Sequence, residues 1–162
     1  GQGILFLSAL SLVAYLTGSS WLAIIGLTMT FSLIAFMKFN YVPAKVFPGD
    51  VLTYPIGALI AAMAILGNFE RIALFFFIPY ILETGLKLRG SLEKESFGKI
   101  QSDGTLKKPY EKIYGLEHLA IVLLPKLGFR STEKNVVHLL WAFQLLIIIL
   151  GFIIFREGIF LS

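Results

Sequence analysis

The chain has 162 residues, of which 57% are hydrophobic and 15% charged, with a formal charge of +4 and a mean hydropathy of +0.82. That exceeds the roughly 45–50% apolar usage of a soluble domain and indicates an integral membrane protein with one domain over residues 1–162. There is no cysteine, which excludes disulfides, thiolate metal sites and cysteine nucleophiles, and the small net charge gives no reason to expect a nucleic-acid partner.

In chain order, the first apolar run covers residues 3–17 and stops at Thr17-Gly18-Ser19-Ser20. It is short against the roughly 20 residues of a bilayer span, so it is either tilted in a bundle or begins upstream. The start at Gly1-Gln2-Gly3, without Met or a basic signal region, fits a chain cut from something longer. A second span is expected near 21–37, with Trp21 at one interface and Lys38 at the other. Residues 38–50 then form a polar loop. The third span, 51–67, is rich in Gly57, Ala58, Ala61, Ala62 and Ala64, which suits close helix packing in lipid, and it is expected to be the most buried. A fourth, 72–86, contains Pro79, which predicts a kink.

The composition then changes. Residues 87–135 hold ten of the fourteen Lys and Arg residues and six of the ten acids, with turn formers at Gly90, Gly98 and Asp103-Gly104, and are expected to form a large water-exposed loop. Within it, residues 110–127 alternate charged and apolar positions, as in an amphipathic interfacial helix or an extension of the bundle. The last span is 136–155. The fold class is therefore all-α, a polytopic membrane helix bundle of about five spans plus an interfacial helix. Alternate crossing puts loops 38–50 and 87–135, with twelve of the fourteen basic residues, on one side. The positive-inside rule makes that side cytoplasmic and leaves the C-terminus outside.

Asp50 is the single acid of the first polar loop and sits after Pro48-Gly49, just before the third span. One reading is a helix N-cap. The other is a hard-cation site, because Asn40 and Asp50 flank Lys45, and Mg²⁺ binds through one or two carboxylates plus phosphate oxygens. Glu83 and Lys87 are spaced for an i,i+4 pair, a Glu near a span end is also a functional candidate, and His118 is expected at the interface. A transporter or a non-catalytic membrane scaffold or partner subunit would also fit an apolar chain of this kind, although no repeat of two halves is evident.

The stretch Phe39-Asn40-Tyr41-Val42-Pro43-Ala44-Lys45-Val46-Phe47-Pro48-Gly49-Asp50, followed by Tyr54 and Gly57, closely resembles the F-N-x-x-P-A-x-V-F-x-G-D signature of the polyprenyl-phosphate N-acetylhexosamine-1-phosphate transferases, glycosyltransferase family 4. It is most similar to the archaeal and eukaryotic enzymes that transfer GlcNAc-1-phosphate from UDP-GlcNAc to dolichyl phosphate, and less like the bacterial peptidoglycan translocase. Ser102 to Leu106 with Pro109-Tyr110 is similar to a later loop of that family, and Thr132-Glu133 to its polar lead-in. From their place in the same loop as Asp50, Lys45 is the candidate catalytic cation, with a plain positive-inside lysine as the alternative, and Asn40 is a candidate substrate-binding residue. The resemblance implies Mg²⁺ (or Mn²⁺) on Asp50. It implies a UDP-sugar donor, a dolichyl or polyprenyl phosphate acceptor in the membrane lipid, and sugar-diphospho-lipid and UMP as products. That reaction would be the first membrane step of N-glycan-type assembly, in an archaeal plasma membrane or an endoplasmic reticulum. The family's paired aspartates and its metal- and uracil-binding Asn residues would lie upstream, in a missing N-terminal half, so the fragment alone is expected to be inactive. Its R-H-R cluster for the sugar-diphosphate has no match here, the nearest cations being Arg89, Lys94 and Lys99. A homodimer is a further expectation.

Overall fold

The structure is a computed structural model and describes residues 1–91, 93 and 97–160. Among the described residues it is all-α apart from one short hairpin. Among the described residues three helices are long and apolar enough to cross a membrane: α2 (Ser20–Asn40), α3 (Gly49–Leu66) and α7 (Glu133–Ile154). A shorter apolar helix, α1 (Gln2–Leu16), precedes them. The chain divides into two compact units, one made of residues 1–77 with the chain from Gln144 on, the other running from Ile78 to Phe143.

In the first unit the core is built on α1. Phe6, Leu7, Leu10, Val13 and Ala14 are wholly buried, and the Phe6 ring meets Phe76 and Phe77 edge-on, with centroids 6.0 and 5.9 Å apart. Helix α2 comes close to α1 because Gly26 has no side chain: a Cβ there would lie 2.2 Å from Ser11 Oγ and 2.6 Å from Met63 Cε of α3. Small residues allow such close approach in lipid, where helices gain little from hydrophobic burial against one another. Hydroxyls on these helices are satisfied locally. Ser8, Ser11, Thr28, Thr30 and Ser32 each donate to the carbonyl four residues back, which spares an apolar environment an unpaired polar group.

Two expectations are corrected here. Residues 72–86 do not form one kinked helix; they fall into α4 (Glu70–Phe76) and α5 (Ile78–Leu88), separated at Phe77. Pro79 offers no N–H to the Phe75 carbonyl, and its ring crowds that carbonyl. The helix therefore ends before the proline, where Phe77 N–H reaches the Ala73 and Leu74 carbonyls at 3.0 and 3.2 Å. Gln144 of α7, wholly buried, donates to the Phe76 carbonyl at 3.0 Å and supplies a polar partner at this helix end. Nor is α3 the most buried span. Only 17% of its apolar window is buried, against 28% for α2 and 22% for α7, since it meets its neighbours through Ile60, Met63 and Ala64 while Gly57, Ala58, Ala61 and Ala62 lie exposed.

The second unit contains α5, a hairpin, α6 (Leu116–Lys126) and the first turns of α7. The hairpin pairs β1 (Lys99–Ile100) with β2 (Leu106–Lys107), antiparallel. Its turn is the expected Asp103-Gly104: Asp103 Oδ1 accepts from Thr105 N at 3.0 Å and Thr105 Oγ1 at 2.6 Å, and Gly104 takes a φ of 76°, which glycine adopts without a Cβ clash. Arg130 fastens the turn, its Nη2 donating to the Asp103 carbonyl at 2.9 Å. Helix α6 is shorter than the expected 110–127. Its buried face, Ala120, Ile121 and Leu124, packs with Val136, Leu139 and Leu140 of α7 and with Leu106 of the hairpin.

Candidate active site

The polar stretch is held by its own backbone. Helix α2 runs through Phe39 and Asn40 before the chain turns at Tyr41, so these two residues belong to a helix and not to the loop. The Phe39 carbonyl, left without a helical partner, accepts from Lys45 N at 2.8 Å and Val46 N at 3.2 Å. Asn40 Nδ2 then donates to the Val46 carbonyl at 2.9 Å. Residues 39–46 are closed into a compact turn by three hydrogen bonds, with a cis peptide at Val42–Pro43. Asn40 thus shapes the loop through its nitrogen while Oδ1 has no hydrogen-bond partner among the described residues. Lys45 is exposed.

Asp50 is not an N-cap. Gly49, at φ 54°, opens α3 one residue before it. The N-cap position falls on Pro48, and no side chain caps the helix. Asp50 sits in the first turn, exposed, and its carboxylate has no hydrogen bond or ion pair among the described residues. The helix dipole favours a negative charge there, and both carboxylate oxygens remain open to an incoming cation. Among the described residues no three His, Asp or Glu side chains converge as a metal cage. An ion on Asp50 would draw its other ligands from water and substrate phosphate, as Mg²⁺ commonly does.

The second unit carries the remaining candidates. Arg89 is exposed just past the end of α5. Lys99, also exposed, stands directly opposite Lys107 in the hairpin. Two like charges facing each other across a ladder repel, and an anion between them would relieve the repulsion. Lys107 was not among the sequence candidates, although the K-I…L-K flanks of the Ser102-Asp103-Gly104-Thr105 turn carry the hairpin signal. Lys94 lies outside the described residues. Glu83 and Lys87 form the expected pair, 3.4 Å apart. His118, expected at the interface, is wholly buried instead, with Nδ1 accepting from Tyr114 N at 3.3 Å. Burial lowers its pKa. Burial also raises the carboxyl pKa of the adjacent Glu117, with the Glu83 charge adding to the rise.

An all-α chain with membrane-length helices and an open carboxylate at the start of one of them is a polytopic membrane protein with a polar site at the end of a span. Residues 1–68 match the model of Glycosyl transferase family 4. The match takes in the whole stretch from Phe39 to Asp50 and bears out the resemblance of that stretch to the family. The chain is 41% identical over 156 residues, 95% of its length and 47% of the relative's, to a Saccharolobus solfataricus protein named UDP-N-acetylglucosamine--dolichyl-phosphate N-acetylglucosaminephosphotransferase. A Sulfolobus acidocaldarius protein of the same name is 31% identical over 93% of the chain and 45% of the relative. The phospho-N-acetylmuramoyl-pentapeptide-transferase of Latilactobacillus sakei is 36% identical over 52% of the chain and 26% of the relative. The chain spans about half the length of the first two of these curated relatives. No solved structure matches it.

Proposed function

We propose that this chain is part of a membrane transferase that moves a sugar-1-phosphate, GlcNAc-1-phosphate in particular, from a UDP-sugar to dolichyl or another polyprenyl phosphate. The observation that carries the reading is the open carboxylate of Asp50 at the start of α3, next to a loop closed by Asn40, in a segment that matches a transferase family. The names of the archaeal relatives support the donor and acceptor, and the family match favours this reading over a transporter or scaffold.

In the reaction, an oxygen of the lipid phosphate attacks the β-phosphorus of the UDP-sugar. A new P–O bond forms, the α–β bridging P–O bond breaks, and UMP leaves with the bridging electrons. Such a transfer asks little covalent work of the protein; it needs the phosphates aligned and their charge neutralised. Asp50 would hold Mg²⁺ (or Mn²⁺), which when bound supplies positive charge to the phosphate oxygens. Asn40 keeps the loop closed and can offer Oδ1 to substrate. Lys45 is an exposed cation of the same loop, and Arg89, Lys94, Lys99 and Lys107 are candidates for the sugar-diphosphate. By the positive-inside count, loops 38–50 and 87–135 would face the cytoplasm, where nucleotide sugars are available.

The test is a membrane assay of the full-length protein with UDP-GlcNAc and dolichyl phosphate. Asp50→Asn should lower turnover by about 10²-fold or more, the scale of removing one preorganised electrostatic contact, with the fold retained. Near-normal turnover in Asp50→Asn would rule out the assignment.

A further inference from the structure

Helix α6 starts without a cap of its own. Its N-cap residue, Gly115, has no side chain, and no local side chain bonds the first turn. The Leu116 N–H instead donates to Glu83 Oε2 of α5 at 2.6 Å, across 33 residues of sequence. The other Glu83 oxygen lies 3.4 Å from Lys87 Nζ, so the carboxylate is held from its own helix while it caps another.

Gly115 makes room for this contact. A Cβ there would stand 2.9 Å from Glu117 Oε2 and 3.2 and 3.4 Å from the two Glu83 oxygens. Glu117 Oε2 is buried and makes no hydrogen bond, and burial raises its carboxyl pKa, with the Glu83 charge adding to the rise. One residue further on, the buried His118 accepts the Tyr114 N–H. The start of α6 is therefore a partly buried polar knot tied to α5, and the described segment that leads into it, residues 97–115, carries Lys99 and Lys107.

We propose that Glu83 is a positioning residue: by capping α6 from α5 across Gly115 it anchors the hairpin segment 97–115 and fixes the presentation of Lys99 and Lys107 to the sugar-diphosphate. This rests on the transferase reading for its substrate but not for the clasp itself. Glu83→Ala removes the acceptor, Glu83→Gln keeps a carbonyl acceptor at the same reach, and Gly115→Ala displaces both carboxyl groups without removing a charge.

Two measurements on the full-length protein in lipid nanodiscs decide it. In hydrogen exchange, the amides of residues 116–119 should lose about tenfold protection in Glu83→Ala and Gly115→Ala, the equilibrium shift for losing a helix cap, and should keep most of it in Glu83→Gln. In the transfer assay, Glu83→Ala should raise KM for UDP-GlcNAc about tenfold, with kcat and the KM for dolichyl phosphate within about twofold, and Glu83→Gln should recover most of that loss. Unchanged exchange in Glu83→Ala would overturn the clasp. Faster exchange with a fall in kcat and no change in KM would leave a purely structural cap and overturn the positioning role. A wild-type protein that fails to turn over any UDP-sugar would sink the transferase reading and the positioning role with it, while the exchange result would still decide the clasp.

Discussion

Gly26 is the position where a single methyl group has the clearest consequence for the helices that carry the signature stretch. In Gly26→Ala the new Cβ would stand 2.2 Å from Ser11 Oγ and 2.6 Å from Met63 Cε. The Met63 thioether is flexible and can swing aside. Ser11 has less freedom, because its hydroxyl is buried and bonded to the Leu7 carbonyl at 2.7 Å, so moving it sacrifices a bond worth about 1 kcal/mol. Overpacking of this kind costs roughly 1–3 kcal/mol, and alanine returns about 1 kcal/mol in helix propensity. The net expectation is a loss of about 1–3 kcal/mol, summing the packing, hydrogen-bond and propensity contributions. Thermal unfolding of the full-length protein in nanodiscs reads it as a fall in Tm. Adding Ser11→Ala to Gly26→Ala removes the closest clashing atom and should recover part of the loss, with a coupling of about 0.5–3 kcal/mol in the double-mutant cycle. A Gly26→Ala protein as stable as wild type would refute the close meeting of α1, α2 and α3 at this residue, and with it the account of how α2 and α3 are braced on either side of the Phe39–Asp50 stretch.

Lys107→Ala should weaken UDP-GlcNAc binding about tenfold by calorimetry, the scale of one charge-assisted hydrogen bond. Lys99→Ala should do the same, and the double variant should lose less than the product if both lysines hold one phosphate; no change in either would remove the hairpin from the site. His118 gives a pH dependence of known sign. Its folded pKa is depressed below the ordinary 6.5 by burial, so the unfolded chain takes up the proton first, and stability held above pH 6.5 is lost as pH falls toward the folded value. Glu117 has the opposite sign: its raised pKa gives stability present below the ordinary 4.5 and lost as pH rises through the folded value. Protection of α6 amides, corrected for intrinsic exchange, should therefore fall on acidification from pH 6.5, and the fall should vanish in His118→Leu.

The three membrane-length helices were legible because hydropathy over some twenty residues averages out local irregularity. What depended on one or two residues was not. Asp50 looked like a cap because a helix was expected to begin after it; Gly49 at positive φ lets α3 start one residue earlier and turns the cap position over to Pro48. The break at Phe77 was foreshadowed by Pro79, but a kink and a full break look alike in sequence. Strands of two residues, Lys99–Ile100 and Leu106–Lys107, are too short for alternation to register, so the opposition of Lys99 and Lys107 emerged only with the hairpin. His118 reads as an interfacial residue in an alternating stretch that mixes charged and apolar positions, whereas its burial comes from its place in the first turn of α6, where its ring accepts the Tyr114 N–H, a contact that sequence spacing does not show. The small residues of α3 announced a close-packing face without saying what covers it.

The central claim is that Asp50 is a metal ligand for transfer between phosphates, and Mn²⁺ binding by the full-length protein, followed by electron paramagnetic resonance with UDP-GlcNAc present, tests it most directly. The account predicts a bound Mn²⁺ signal in wild type that Asp50→Asn weakens by about tenfold or more, as for loss of a charged ligand, while Lys45→Ala leaves it in place. Equal Mn²⁺ binding by wild type and Asp50→Asn would contradict it.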